Sequence, residues 1–253
     1  MPSHPSKLRS ERTQPPHHPI GDKHQVGHEH RDVSGGWLRP TVFGMVDGLV
    51  SNFALIAGVA AGTSTVKPVV LAGFAGLIGG AFSMSLGEYS SVRSQNESMQ
   101  AEVEVERAEL DANPEAELAE LTQIYIARGV DVDLARLVAE QLSADPVQAL
   151  EIHVQEELGV DIHDLPSPRL AAGSSFLSFS VGAMIPLVPF LFGSRLLLLA
   201  AVLALAALFV TGAITARFTI QRWWYAGSRQ LLFGLVAAAV TYGIGHLLGA
   251  TVG

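Results

Sequence analysis

Apolar residues gather along this chain into five long runs separated by polar stretches of unequal length. The clearest run, "LLLLAAVLALAALFVTGAITA" at 196–216, is uncharged over 21 residues, and an α-helix needs about 20 such residues to cross the hydrocarbon core of a bilayer. Similar stretches lie near 48–66, 68–87, 170–192 and 230–250, each close to spanning length and rich in glycine, as membrane helices often are. The pattern predicts an all-α membrane protein with five transmembrane helices. Gly58 with Gly62, Gly76 with Gly80, and Gly245 with Gly249 have the spacing that lets helices approach closely in lipid. Glycine is frequent enough in these runs for that spacing to arise by chance as well.

The polar stretches organise the rest. Residues 1–36 hold proline, charges of both signs and six of the nine histidines without a hydrophobic period, which predicts a disordered tail. Within it "HQVGHEH" offers His24, His28 and His30 either to a metal or simply to solvent. Residues 37–99 then carry spans one and two, residues 100–165 form a hydrophilic insert, and residues 166–253 carry spans three to five. The insert reads as a small helical domain. Asn113-Pro114 starts a helix that Gly129 ends, "DVDLARLVAEQL" forms a second, and Asp145-Pro146 starts a third, with Gln148 at capping-box spacing and Gly159 as its stop.

Basic residues set the orientation, because they favour the cytoplasmic side of short loops. With the N-terminus inside, Arg31, Arg39, Arg93, Arg169, Arg217, Arg222 and Arg229 flank cytoplasmic ends, and Lys67 and Arg195 flank the far side. The insert is then cytoplasmic and the C-terminus lies across the membrane. No secretory or transit segment is legible, which points to a prokaryotic plasma membrane. "RWWYAGSR" reads as an interfacial anchor, Pro186 and Pro189 as bends in span three, and His246 as a histidine satisfied by a neighbouring helix or a proton relay.

Charge changes the picture most. The chain has a formal charge of −8 and no cysteine, so disulfides and thiolate metal sites are excluded and no nucleic-acid partner is expected. Residues 100–165 alone hold 17 acidic residues against Arg107, Arg128 and Arg136. Glu102, Glu106 and Glu109 share one helix face, Glu117 and Glu120 share another, and His153 lies three and four residues before Glu156 and Glu157. Either this is a solvated acidic surface, or the repulsion between stacked carboxylates is balanced by a cation. Oxygen donors with one imidazole suit Fe²⁺ or Mn²⁺, and less selectively Co²⁺ or Zn²⁺. Asp47 and Glu88 are the carboxylates in or near the spans, where ionisable groups are costly, and Met84 shares a face with Glu88. An interfacial anchor is the alternative for the two acids, and packing for the methionine.

"DGLVSNFALIAGVAAG" in span one, "SMSLGEYSSVRSQ" leaving span two, the glutamate-rich helices and "EELG" before span three together resemble the vacuolar iron transporter family over about residues 37–250. The resemblance implies a homodimer of five-span subunits in membrane lipid, exporting Fe²⁺ and often Mn²⁺ from the cytoplasm in exchange for protons, with no prosthetic group. It assigns a metal path at the dimer interface to Asp47 and Met84, with Glu88 in the same signature. It assigns metal collection to Glu106, Glu109, Glu117, Glu120 and Glu157. Where plant members carry a methionine pair, this chain has His153 and Val154, so His153 stands as a substitute ligand that makes the site harder.

Two other classes compete with transport. A ferroxidase on a di-iron bundle needs Glu-x-x-His on two helices, which the insert lacks. A sensor or storage module, merely anchored by the spans, leaves Asp47 and Glu88 without a purpose. A transporter rather than an enzyme is therefore expected.

Overall fold

In this computed structural model the described residues are 36–252 apart from residue 195, and among them every regular element is helical, with no strand. In chain order they are α1 (Leu38–Gly62), α2 (Val66–Ala112), α3 (Pro114–Ala127), α4 (Val132–Leu142), α5 (Pro146–His153) with a π-helical turn at Val154–Leu158, α6 (Pro168–Leu191), α7 (Leu197–Thr215) with a 3₁₀ turn at Ala216–Phe218, and α8 (Trp223–Val252). Among the described residues four helical segments are long and apolar enough to cross a membrane, Leu38–Gly62, Val66–Ala112, Pro168–Leu191 and Leu197–Phe218. The expected fifth span falls on α8, and much of its second half, His246 included, lies outside the residues whose side chains are described. The tail histidines His24, His28 and His30 and the far-side Arg195 lie outside the described residues.

The spans are held together where side chains are smallest. α1 packs most extensively on α6, and the contact is built from glycines: a methyl group placed on Gly48 would overlap the Phe179 carbonyl oxygen, and one on Gly182 would overlap that of Met45. Close backbone approach of this kind is how helices gain packing in lipid, where no hydrophobic force drives them together. The Gly76–Gly80 pair faces Asn52, Leu55 and Phe179, whereas nothing lies within 4 Å of Gly58 or Gly62. Asn52 is buried and its Nδ2 donates to the Ala183 carbonyl oxygen at 2.7 Å, a cross-helix bond between α1 and α6. Ile56, Val69, Leu187, Phe190 and Ala200 close one core between α1, α2, α6 and α7, and Leu49, Ala204 and Leu208 close another.

α2 continues from an apolar stretch into a charged one. It runs for 47 residues without interruption, so the junction expected near residue 100 falls inside one helix. Chemistry explains this: between Gly87 and Asn113 there is neither glycine nor proline to end it, and a change from apolar to charged side chains does not break a backbone. The chain turns only at Asn113, with Pro114 in the first turn of α3. Asp131 caps α4 by accepting from the Asp133 amide, and Asp145 caps α5 by accepting from Val147. Gly159 ends the π-helical turn in the left-handed region, φ +67°, which favours glycine.

Candidate metal centre

α3 and α5 both touch the polar end of α2, and this brings one residue from each helix to a common point. Glu106 of α2, Glu117 of α3, His153 at the end of α5 and Glu157 of the π-helical turn each present a donor atom within 4.8 Å of all the others. His153 is fully buried, while Glu106 and Glu117 are each 7% exposed. Its Nδ1 stands 3.1 Å from Glu106 Oε1, 3.1 Å from Glu157 Oε1 and 3.6 Å from Glu117 Oε2. Three carboxylates therefore converge on one imidazole nitrogen, which has a single proton to give.

The pairing is incomplete. A hydrogen bond of good geometry joins His153 Nδ1 to Glu157, while buried Glu106 Oε1 and His153 Nε2 have no hydrogen-bond partner. Buried polar atoms are seldom left so. Burial, then the charge of Glu157, raises the Glu106 carboxyl to about 7, with Glu117 and Glu109 adding to the rise and His153 opposing it. Glu117 is raised as well, by burial first and then by Glu120, with His153 again opposing. Both shifts have one cause, carboxylates gathered out of water with only His153 to oppose their charge. A divalent cation would supply the opposing charge, and three oxygens with one nitrogen form a donor set that suits a hard or borderline ion such as Fe²⁺ or Mn²⁺.

The other expected residues fall around this group. Glu109 and Glu120 are exposed at its edge and act on it through their charge. Glu102, although on the same face of α2 as Glu106, is exposed. Glu156 turns away: it forms an ion pair with Arg128 and accepts from the Tyr125 hydroxyl at 3.5 Å. Neither Arg128 nor Tyr125 is singled out as a site residue by the sequence, and the available signal is that Arg128 is one of only three basic residues in the acidic stretch. In the spans, Asp47 is partly buried on α1, one residue before Gly48 at the α6 contact. Met84 packs against Ala81, Phe179 and Ala183, and Glu88, partly buried, follows one turn later on α2.

Comparison with known proteins gives this arrangement a family. A sequence profile described as the VIT family matches residues 38–246. The vacuolar iron transporter of Acanthamoeba castellanii is 38% identical over 230 residues, covering 87% of this chain and 83% of that protein. Vacuolar iron transporter 2 of Oryza sativa subsp. japonica is 31% identical, covering 84% and 87%, and vacuolar iron transporter 1 of Arabidopsis thaliana is 29% identical, covering 83% and 85%. These relatives are named as transporters and not as enzymes. With its apolar helices of spanning length, the chain is an integral membrane protein that belongs to the VIT family.

Proposed function

We propose that the protein moves divalent metal, Fe²⁺ or Mn²⁺ or both, out of the cytoplasm in exchange for protons. The observation that carries the reading is the convergence of buried Glu106, Glu117 and His153 with the more exposed Glu157, where Glu106 Oε1 is left without a hydrogen-bond partner, in a chain whose relatives are named iron transporters. The cargo is the property carried over from those names, and the compartment is not.

In this reading the group collects the ion on the cytoplasmic side, with Glu109 and Glu120 as a surrounding field that raises the local cation concentration. Met84, Glu88 and Glu106 all lie on α2, so one rigid helix spans the roughly 33 Å from the collecting group to the membrane path. Asp47 on α1 and Met84 on α2 pass the ion through a five-span subunit paired with a second copy, and protonation of carboxylates on the acidic side releases it. The topology is N-terminus and helices α3–α5 inside, C-terminus outside.

Purified protein in liposomes with an acidic lumen tests this. Wild type is expected to accumulate Fe²⁺ or Mn²⁺ while protons leave, and Asp47→Asn to lose the flux yet still bind metal. Metal binding without flux in wild type would instead favour a membrane-anchored sensor or store.

A further inference from the structure

Glu156 and Glu157 are adjacent, yet they do opposite things. Glu157 belongs to the four-residue group, while Glu156 is held by Arg128 and Tyr125 of the α3 C-terminal end, with only 17% of its side chain exposed. Both sit in a π-helical turn, Val154–Leu158, that directly follows His153. Such turns are rare and cluster at functional sites. Neighbouring residues on a helix project in directions nearly a right angle apart, so only one of two consecutive glutamates faces a given point, and the phase of the turn decides which.

The geometry points to the Arg128–Glu156–Tyr125 contact as a positioning clamp that fixes the phase of the π-helical turn, keeping Glu157 in the metal group and Glu156 out of it. The inference rests on the metal-binding reading above. Its chemistry is specific. The arginine neutralises Glu156, so the ion meets three carboxylates rather than four, and the ion pair anchors the turn to α3, which also carries Glu117. One clamp thus sets the spacing between ligands from two elements. Partners that orient a ligand without touching the metal commonly govern its affinity, by about 10- to 100-fold. Arg128 is a positioning residue in this sense: its charge acts through Glu156 on the placement of Glu157 and His153.

Mn²⁺ titration calorimetry and the electron paramagnetic resonance of bound Mn²⁺, on the full chain in detergent, test the clamp. Arg128→Gln and, separately, the isosteric Glu156→Gln are expected to weaken Mn²⁺ binding about tenfold or more and to alter the Mn²⁺ spectrum. The exchanged pair R128E/E156R, which restores an ion pair with reversed polarity, is expected to recover most of the affinity. Wild-type affinity and spectrum in both single variants would overturn the clamp, and so would a folded exchanged pair that binds no better than the single variants. Absence of Mn²⁺ binding by the wild-type protein would overturn the metal-site reading itself, and is thereby told apart from failure of the clamp. Should Arg128→Gln fail to fold, Glu156→Gln decides.

Discussion

His153 Nδ1 lies 3.1 Å from Glu106 Oε1, joining the end of α5 to a helix that begins inside the membrane spans. The contact is buried, and Glu106 Oε1 makes no hydrogen bond of good geometry there. A nitrogen donor at this point distinguishes the group from an all-oxygen site. Imidazole favours later transition ions, whereas carboxylates alone serve Mn²⁺ nearly as well. His153→Ala is therefore expected to cost Co²⁺ and Zn²⁺ more affinity than Mn²⁺. Competition titrations check the ratio, and equal losses for all ions would remove the histidine from the ligand set.

If Glu106 is a metal ligand, protons must compete with the ion for it. With its carboxyl raised to about 7, metal binding at pH 6 must displace a proton that at pH 8 has already left. Affinity should accordingly fall by about tenfold per pH unit for each proton displaced below that value. Calorimetry in buffers of different ionisation enthalpy counts the protons released. A binding constant that stays flat between pH 6 and 8 would speak against Glu106 as a ligand.

The same shift has a consequence for stability. A carboxyl whose pKa is higher folded than unfolded binds protons more tightly in the folded state, so stability is lost as pH rises from the ordinary carboxylate range, near 4.5, to about 7. Metal-free Glu106→Gln should thus melt above wild type at pH 7.5, with the difference vanishing near pH 4.5. Thermal melts of the metal-free protein in detergent at the two pH values measure this. A variant less stable than wild type at pH 7.5 would contradict it.

Glycines in the spans should divide into two classes. Gly48→Ala forces a methyl group onto the Phe179 carbonyl oxygen, and overpacking of this sort typically costs about 1–3 kcal/mol. Gly58→Ala meets nothing within 4 Å and should leave the melting temperature unchanged or slightly raised. Comparable destabilisation by both would show that the α1–α6 approach is not as close as described.

Much of this was legible in the residues themselves. The Asp145 cap, the Asn113-Pro114 start and the Gly159 stop are local signals, decided by groups a few residues apart. What was not legible depends on long-range packing. Charge patterning names Glu102, Glu106, Glu109, Glu117, Glu120, Glu156 and Glu157 alike, because periodicity gives a face and not what covers it. Packing of α3 and α5 on α2 buries Glu106 and Glu117, leaves Glu102 in solvent, and gives Glu156 to Arg128. The small residues at the α1–α6 contact include Gly44, Gly48 and Gly182 rather than Gly58 and Gly62, since the same spacing recurs wherever glycine is frequent. The continuous α2 shows a further limit: composition marks where the environment changes, while only a helix breaker marks where the backbone does.

The most direct test of metal binding among Glu106, Glu117, His153 and Glu157 is electron spin-echo envelope modulation on Mn²⁺ bound to the full chain. A ¹⁴N modulation from a directly coordinated imidazole is predicted in wild type, lost in His153→Ala and retained when His24, His28 and His30 are all replaced. No ¹⁴N modulation in wild type, or one that survives His153→Ala, would place the ion elsewhere.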